Sequence, residues 1–280
     1  FYSWKFDVVK DCGCFGDALH LKPFESFMKD VILFVLILFI FIKRNEIKPL
    51  FGESGSTWLA YAGFVASLTF SIYCYRHLPM IDFRPYAIGK SIPEGMKLPP
   101  NAVTDSVVMV FIYEKDGKRM ELSMDQISGI DSTYKFVDRT DKVIREGDKA
   151  PIHDFSIVSA DGTDVTADVL SMDRVFLLVA YDLEKSDEDA QSRINDFVAL
   201  SQKAGVEFIG LTSSAPATVD AFKKKHHSAF EYYFTDGTTL KTMIRSNPGL
   251  LLLKKGTVAA MWHHNDLPAF DEVNSMYLSK

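Results

Sequence analysis

An unbroken apolar run near the start of the sequence constrains the fold of this chain more than any other feature. Residues 31–42 include no polar side chain, and counting back to Phe24 brings the run close to the roughly 20 residues that a helix needs to cross a bilayer. A helix this apolar has no polar face to expose to solvent, so a buried helix of a soluble protein is the weaker alternative. We therefore expect residues 24–42 to form a membrane helix.

A second apolar run, residues 58–75, follows a short basic turn that contains Lys43, Arg44 and Lys48. This run is rich in Ala, Gly and Ser, which suits close packing against other helices in a membrane. The two runs predict an antiparallel transmembrane hairpin. The positive-inside rule places residues 43–56 in the cytoplasm, although basic residues beyond the far ends of the helices act against that assignment.

The remainder of the chain is much more polar. Hydrophobic residues make up 47% of the 280, but the mean hydropathy is only +0.02, so the apolar residues are concentrated in the first third. The net charge of −6 disfavours a nucleic acid partner, whereas the two apolar runs make the lipid bilayer an expected one. Prolines and glycines in residues 81–100 indicate a linker. We therefore expect three regions: a transmembrane region at 1–80, a linker with a hairpin at 81–146 and a soluble domain at 147–280.

The polar part alternates strand and helix patterns. Asp116-Gly117 lies between two strand-like segments and predicts a tight hairpin. Residues 132–145 give no clear pattern. From residue 147 onward, the expected order of strands and helices indicates a three-layer α/β domain. The expected strands are 155–158, 175–181, 206–212, 232–234, 250–254 and 257–262, and the expected helices are 187–204 and 218–225.

Two of the three cysteines, Cys12 and Cys14, are separated only by Gly13. A disulfide between them requires a turn, which glycine permits. Because so small a ring would be strained, the bridge would be readily reduced by a substrate thiol. The alternatives are a structural disulfide, or two reduced thiols that hold a loop between helices.

The other candidate residues carry weaker signals. Cys74, at the far end of the second apolar run, is expected to be a packing residue, with a resolving thiol as the alternative. His20 could join Cys12 and Cys14 around a metal ion, but the three lack the spacing of a known metal motif, so we expect no metal site.

The paired histidines and the acidic run near residue 185 point to surface roles. His226-His227 and His263-His264 are neighbours, and neighbours on a strand face opposite ways, so we expect solvated side chains. The acidic run of residues 182–189 is expected to cap the N-terminus of a helix.

The segment Asp11-Cys12-Gly13-Cys14-Phe15-Gly16-Asp17, followed by a membrane helix, resembles the DoxX-like and methylamine-utilisation MauE-type membrane proteins. The resemblance covers about 80 residues and implies the second half of a four-helix bundle, with a start that lies upstream. MauE-type proteins are linked to the maturation of methylamine dehydrogenase. The resemblance therefore implies an extracytoplasmic thiol-redox accessory in which Cys12 and Cys14 are the redox pair.

Residues from 147 onward resemble thioredoxin-fold domains of the peroxiredoxin and TlpA type. Gly147-Asp-Lys-Ala-Pro-Ile-His-Asp-Phe155 is similar to the entry segment of those domains, and Ser246-Asn-Pro-Gly249 stands where their cis-proline loop belongs, which implies a cis bond at Pro248. Where the family carries its W-C-x-x-C, this chain has Tyr181-Asp-Leu-Glu-Lys-Ser186. Without a cysteine there, this domain cannot perform thiolate chemistry.

Together these features predict two alternative functions. The first is a multi-pass protein of the inner membrane that acts as a thiol–disulfide accessory, with a periplasmic thioredoxin-like domain that binds a partner protein. The second is a non-catalytic membrane subunit that docks a larger complex. The sequence leaves open whether the protein is itself an oxidoreductase. No bound cofactor is expected, and a quinone as electron acceptor has no support in the sequence.

Overall fold

The computed structural model describes residue 19 and residues 21–48, 51–103, 106–115, 117–127, 129–131, 133–145 and 147–279. The chain divides into two compact units. One unit comprises Phe1–Ser91 together with Ser156–Lys280, and the other comprises Ile92–Phe155.

Both apolar runs are helical. Helix α1 spans Pro23–Lys43 and helix α2 spans Gly52–Arg76, in agreement with the helices predicted at 24–42 and 58–75. Proline suits the first turn of α1 because its φ is already helical and no N–H is needed there. The apolar side chains from Val31 to Ile42 are 37–66% exposed, and no residue of α2 is buried among those described. The two helices thus bury little of their apolar surface within the described chain.

One helix in the described part of the chain has the length and composition of a membrane span. It covers Ser54–Arg76, with a mean hydropathy of 1.3. The second half of helix α1 is more apolar than this helix, but Glu25, Lys29 and Asp30 interrupt its first half.

The smaller unit contains a three-stranded antiparallel sheet. After the short helix α3 (Ile92–Gly95), the strands are β1 (Ser106–Lys115), β2 (Lys118–Ser123) and β3 (Lys135–Arg145), with helix α4 (Met124–Ile127) after β2. The strand order is β2-β1-β3. Lys115 pairs with Lys118, and Gly117 has a φ of 74°, so the tight hairpin predicted at Asp116-Gly117 is confirmed. The sequence pattern left β3 unassigned.

The larger unit contains a five-stranded mixed sheet in the order β6-β5-β4-β7-β8. Strands β4, β5 and β6 are parallel, whereas β7 is antiparallel to β4 and to β8. The elements in chain order are α5 (Thr166–Ser171), β4 (Val175–Val179), α6 (Gln191–Lys203), β5 (Glu207–Thr212), α7 (Pro216–His226), β6 (Tyr232–Phe234), α8 (Gly237–Met243), β7 (Gly249–Lys254), β8 (Thr257–His263) and α9 (Phe270–Val273).

Strand β4 lies at the centre of this sheet and is buried on both faces. Alternate residues of a strand point to opposite faces, and all five residues of β4 are buried. Phe176 packs edge-on against Phe197 of α6 at 5.1 Å between ring centroids, and Phe197 packs against Phe270 of α9 at 5.2 Å. The peptide bond between Asn247 and Pro248, just before β7, is cis. The strand order and directions are those of the predicted thioredoxin-like α/β domain.

Local signals predicted most of the elements of this unit. Gly205 follows α6 with a φ of 72°, and the β7–β8 hairpin turns at Lys255-Gly256 with left-handed backbone at both residues, as predicted. The strand predicted at 155–158 is wrong, because only Val158 pairs there, in isolated bridges. The short helices α5, α8 and α9 were not predicted.

The core of this unit should be sensitive to a single truncation in β7. Leu252 is fully buried, so Leu252→Ala should lower the free energy of unfolding by about 2–5 kcal/mol through lost burial and a residual cavity. Leu200→Ala, the same substitution at a side chain that is 40% exposed, should cost less than about 1 kcal/mol. Denaturant titration of the purified full chain measures both. Equal losses would contradict the assigned core.

Candidate functional site beside the cis-proline loop

The register of the sheet brings three chain segments to one edge. Val179, the last residue of β4, pairs with Gly249, the first residue of β7, and Gly249 also pairs with His263, the last residue of β8. The turn after β4, the loop before β7 and the segment after β8 therefore meet at the same end of the sheet.

The turn after β4 is held by short polar contacts. The Tyr181 carbonyl accepts a hydrogen bond from Ser213 Oγ at 2.5 Å, and Ser214 Oγ accepts one from the Leu183 N–H at 2.9 Å. The Asp182 carboxylate caps a 3₁₀ turn at Leu183–Lys185 and pairs with Lys185 Nζ at 2.7 Å. This turn stands where thioredoxin-like enzymes carry their cysteine pair.

The cis-proline loop is tied to that turn by Asn247. The Asn247 side-chain amide donates to the Asp182 carbonyl at 2.7 Å, and the Asn247 carbonyl accepts from the Asp187 N–H at 3.0 Å. The loop is also tied to the segment after β8, since Ser246 Oγ accepts from the His264 N–H at 3.2 Å and donates to the Pro248 carbonyl. Two neighbouring segments thus fix the position of this loop.

Two histidines complete the edge. The rings of His263 and His264 lie 4.1 Å apart between centroids. His264 Nδ1 lies 3.0 Å from Ser246 Oγ and 3.2 Å from the Pro248 carbonyl. His264 Nε2 lies 3.5 Å from Asp187 Oδ2. His263 Nδ1 accepts from the Asn265 N–H at 3.1 Å, so the proton of a neutral His263 is on Nε2.

The end of helix α2 is fastened to the same segment. The Asn265 side-chain amide donates to the Arg76 carbonyl at 3.0 Å, and His77 Nδ1 lies 2.7 Å from Asp266 Oδ1. The His77 ring also stacks on Tyr73 at 4.6 Å between centroids. These contacts place the last turn of α2 next to the cis-proline loop.

The chain that leaves α2 continues along the larger unit. Arg84 is buried, and its guanidinium contacts the Asp82 carboxylate through Nε at 2.7 Å and the Thr242 carbonyl through Nη1 at 3.2 Å. Farther on, the Gly89 N–H donates to the Val258 carbonyl at 2.8 Å. The predicted linker is therefore ordered over this stretch and attached to β8 and α8.

These segments enclose a cavity of about 510 Å³, a size typical of small-molecule sites. Its lining includes three basic residues, Arg76, Lys185 and Arg245, and one carboxylate, Asp187. The full lining is Cys74, Tyr75, Arg76, Tyr181, Lys185, Asp187, Arg245, Ser246, Asn247, His263, His264 and Asn265.

The charge state of His263 follows from its surroundings. Burial, with a smaller contribution from His264, lowers the pKa of His263 to about 4. The imidazole is therefore neutral at neutral pH, with Nδ1 as an acceptor and Nε2–H as a donor. His263 is only 3% exposed, yet it lines the cavity.

The structure corrects two predictions about side chains. Cys74 is exposed and lines this cavity, so its interpretation as a packing residue is wrong. His263 is buried and His264 is largely buried, so their interpretation as solvated surface histidines is also wrong. His263 ends β8 and His264 begins a 3₁₀ turn, so the alternation of strand side chains does not extend across the pair.

The remaining site predictions concern the cysteine pair with His20, the acidic run and a metal site. Cys12, Cys14 and His20 lie outside the described residues, so their roles remain predictions. In the acidic run, Asp187 Oδ1 accepts from the Ala190 N–H at 3.0 Å, but Ala190 is the N-cap of α6 and has no side-chain cap, so the expected helix cap is wrong; Asp182 caps the 3₁₀ turn instead. In the described part of the chain, no group of three His, Cys, Asp or Glu side chains is arranged to hold a metal ion.

Sequence reasoning missed Arg245, the two histidines and Asn265 as residues of this site. One signal was available: Arg245 directly precedes the Ser246-Asn-Pro-Gly249 loop, and the two histidines lie at the end of the last strand of the sheet. An antiparallel β7–β8 hairpin places these two positions at the same edge.

Comparison with known proteins gives one family match. A model of a domain of unknown function, DUF8463, matches residues 107–146, which lie within the smaller unit. A search of curated proteins gave no match.

Several solved structures resemble part of this chain. A thioredoxin-like protein from Aeropyrum pernix is 15% identical, with 45% of this chain and 89% of that chain covered and a TM-score of 0.37. A thiol:disulfide interchange protein from a Bacteroides species is 11% identical, covering 45% and 86%, with a TM-score of 0.35. The exposed lipoprotein thioredoxin Etrx1 from Streptococcus pneumoniae is 16% identical, covering 44% and 96%, with a TM-score of 0.35. We base no functional conclusion on these similarities.

The buried His263 should make the stability of the larger unit depend on pH. The unfolded chain takes up a proton near pH 6.5 and the folded chain only near pH 4, so stability is present above about pH 6.5 and is lost as the pH falls toward 4. Replacing His263 with Gln should flatten this dependence. Thermal unfolding of the solubilised full chain at pH 7.5, 6 and 4.5 measures it, with His153→Gln as the control at an exposed histidine. An unchanged slope in His263→Gln would contradict the neutral buried ring.

Proposed function

We propose that this chain is a membrane-anchored thiol–disulfide redox accessory whose thioredoxin-like domain binds a partner protein outside the cytoplasm. One observation supports this most strongly: the thiol of Cys74, at the end of an apolar helix, lines the cavity beside the cis-proline loop. In this proposal the domain supplies the binding surface, and the membrane region supplies the thiols.

Anchoring is proposed from the two apolar helices. Their side chains remain exposed over three turns or more within the described chain, and exposed apolar surface of that extent requires an apolar environment. Tyr73, Tyr75 and Arg76 stand at the end of α2 nearest the cavity, as is common at a membrane interface. The chain is then a multi-pass protein of the inner membrane, with residues 43–56 cytoplasmic and the C-terminal domain periplasmic. By resemblance, upstream helices would complete a four-helix bundle.

The proposed chemistry is disulfide exchange at Cys12 and Cys14. A thiolate of the partner attacks one sulfur of the Cys12–Cys14 disulfide and the other sulfur leaves as a thiolate. A second thiolate of the partner then displaces the mixed disulfide. The partner gains one disulfide and loses two electrons, and the pair Cys12 and Cys14 becomes the dithiol. A quinone of the membrane would be a suitable acceptor for those two electrons.

The alternative proposal is a non-catalytic subunit that anchors and docks a larger envelope complex. The absence of any cysteine from residue 75 to the end of the sequence favours it, because the domain with the partner-binding cavity cannot exchange disulfides itself. The two proposals differ in what they require of the cysteines.

Substitution of both Cys12 and Cys14 by Ser tests the proposals against each other. The redox accessory should lose disulfide exchange with its partner while it still inserts and assembles. In the unsubstituted chain, redox titration with thiol trapping should show a reversible pair with a potential above about −300 mV, the upper range of stable structural bridges. A matched Cys74→Ser variant reports whether the cavity thiol takes part.

Two results would reject the redox proposal. The first is a pair that stays reduced in oxidising buffer, and the second is a pair that stays bridged under strongly reducing conditions. Either result would support the anchoring subunit.

Membrane topology is tested by engineered cysteines in a chain whose three native cysteines are replaced by Ser. Ser54→Cys, near the start of α2, should react with a membrane-impermeant reagent only after the membrane is permeabilised, because the reagent must reach the cytoplasm. Ser279→Cys, in the thioredoxin-like domain and also exposed, should react in intact spheroplasts. Labelling of Ser54→Cys in intact spheroplasts would reverse the orientation.

A further inference from the structure

The cavity at the end of α2 has a local charge opposite to that of the whole chain. Arg76, Lys185 and Arg245 line it with Asp187 as the one carboxylate of its lining, whereas the chain as a whole carries −6. An excess of cations in a concave site concentrates field lines and attracts anions. The cavity is therefore suited to an anionic ligand rather than to a cationic or neutral one.

Two of these cations are available to a ligand. The guanidinium groups of Arg76 and Arg245 make no hydrogen bond with any described residue, and both residues are exposed. Arg245 interacts electrostatically with the Asp82 carboxylate, which is itself paired with Arg84. Lys185, in contrast, is paired with Asp182 at 2.7 Å. A guanidinium offers a planar fork of donors that matches the oxygens of a phosphate in a bidentate arrangement.

His263 adds an uncharged donor from the interior. Its Nδ1 is used by the Asn265 N–H, which leaves Nε2–H as the donor, and Nε2 has no hydrogen-bond partner among the described residues. Nε2 is not among the buried side-chain atoms that lack a partner, so its N–H is open to the cavity and can donate to a bound anion. His263 is 97% buried and lines the cavity, so the site has a fixed wall and not only flexible surface cations.

The position of the cavity limits the source of the anion. It is lined by the last residues of α2, the helix with the composition of a membrane span, and the contacts of Arg76 and His77 with Asn265 and Asp266 hold it there. If α2 crosses the bilayer, the cavity lies at the level of the lipid phosphates.

We propose that this cavity binds a phosphate group, with Arg76, Arg245 and His263 Nε2–H as its donors, and that the phosphate belongs to an anionic lipid headgroup. This proposal rests on the membrane insertion of α2 given under the proposed function. Headgroup binding would set the cis-proline edge of the thioredoxin-like domain close against the membrane surface.

Native mass spectrometry of the detergent-solubilised full chain tests the proposal. Phosphatidylglycerol should be retained at least about tenfold better than phosphatidylcholine with the same acyl chains, a difference of about 1.4 kcal/mol. The double variant Arg76→Ala with Arg245→Ala should reduce this preference to near one. Lys224→Ala removes an exposed cation of α7 outside the cavity and should leave the preference unchanged. His263→Gln, which retains a donor, should keep part of it.

The possible outcomes distinguish a lipid headgroup from soluble phosphate as the ligand. They also distinguish a failure of the phosphate site from a failure of the proposed function. Displacement of the lipid by millimolar inorganic phosphate, with loss of that effect in the double Arg variant, assigns the site to soluble phosphate. Equal retention of both lipids overturns the anionic headgroup, and a preference that survives the double Arg substitution overturns the arginine-lined site. If Ser54→Cys labelling excludes α2 from the membrane while the Arg-dependent preference persists, the proposed function fails and the phosphate site stands.

Discussion

The antiparallel pairing of β4 with β7 is the constraint on which the rest of this structure depends. Both strands are buried at the centre of the sheet, where an unpaired backbone group has no water to bond, so the register from Val175–Leu253 to Val179–Gly249 is held along the whole strand. That register alone places the turn after β4 beside the cis-proline loop. The next strand, β8, adds its terminal histidine to the same edge.

The polar contacts at this edge satisfy backbone groups and position side chains at the same time. Asn247 bonds the turn after β4 through both its amide and its main-chain carbonyl. Ser246 bonds the His264 N–H and the Pro248 carbonyl. Since Asn247 bonds the segment after β4 and Ser246 bonds the segment after β8, the cavity wall is fixed before any ligand arrives, which reduces the ordering cost of binding.

The attachment of α2 relates the apolar helix to this wall. The contact of His77 with Asp266 and the hydrogen bond from the buried Arg84 to the Thr242 carbonyl hold the exit segment against the thioredoxin-like domain. Asp82, in the same segment, pairs with Arg84, and removing it would leave the guanidinium charge without compensation in the interior. An exposed ion pair would provide much less restraint. The fold therefore presents a thioredoxin-like edge, without redox cysteines, directly at the end of a helix suited to a bilayer.

The sequence by itself determined the features that arise from neighbouring residues. The two apolar helices follow from uninterrupted hydrophobicity, and the hairpin turns at Gly117 and Gly256 follow from glycine's access to positive φ. Helix α6 and the buried strands follow from periodicity, and the thioredoxin-like order follows from a resemblance carried by short motifs.

Tertiary structure decided which distant residues form the candidate site. Cys74, Arg245 and His263 are separated by long stretches of chain, and no local pattern indicates that they line one cavity. The burial of His263 and the exposure of Cys74 are both opposite to what their immediate sequence suggested. The physical reason is that burial and proximity depend on strand register and on where α2 is attached, and both are set by long-range pairing rather than by adjacent residues.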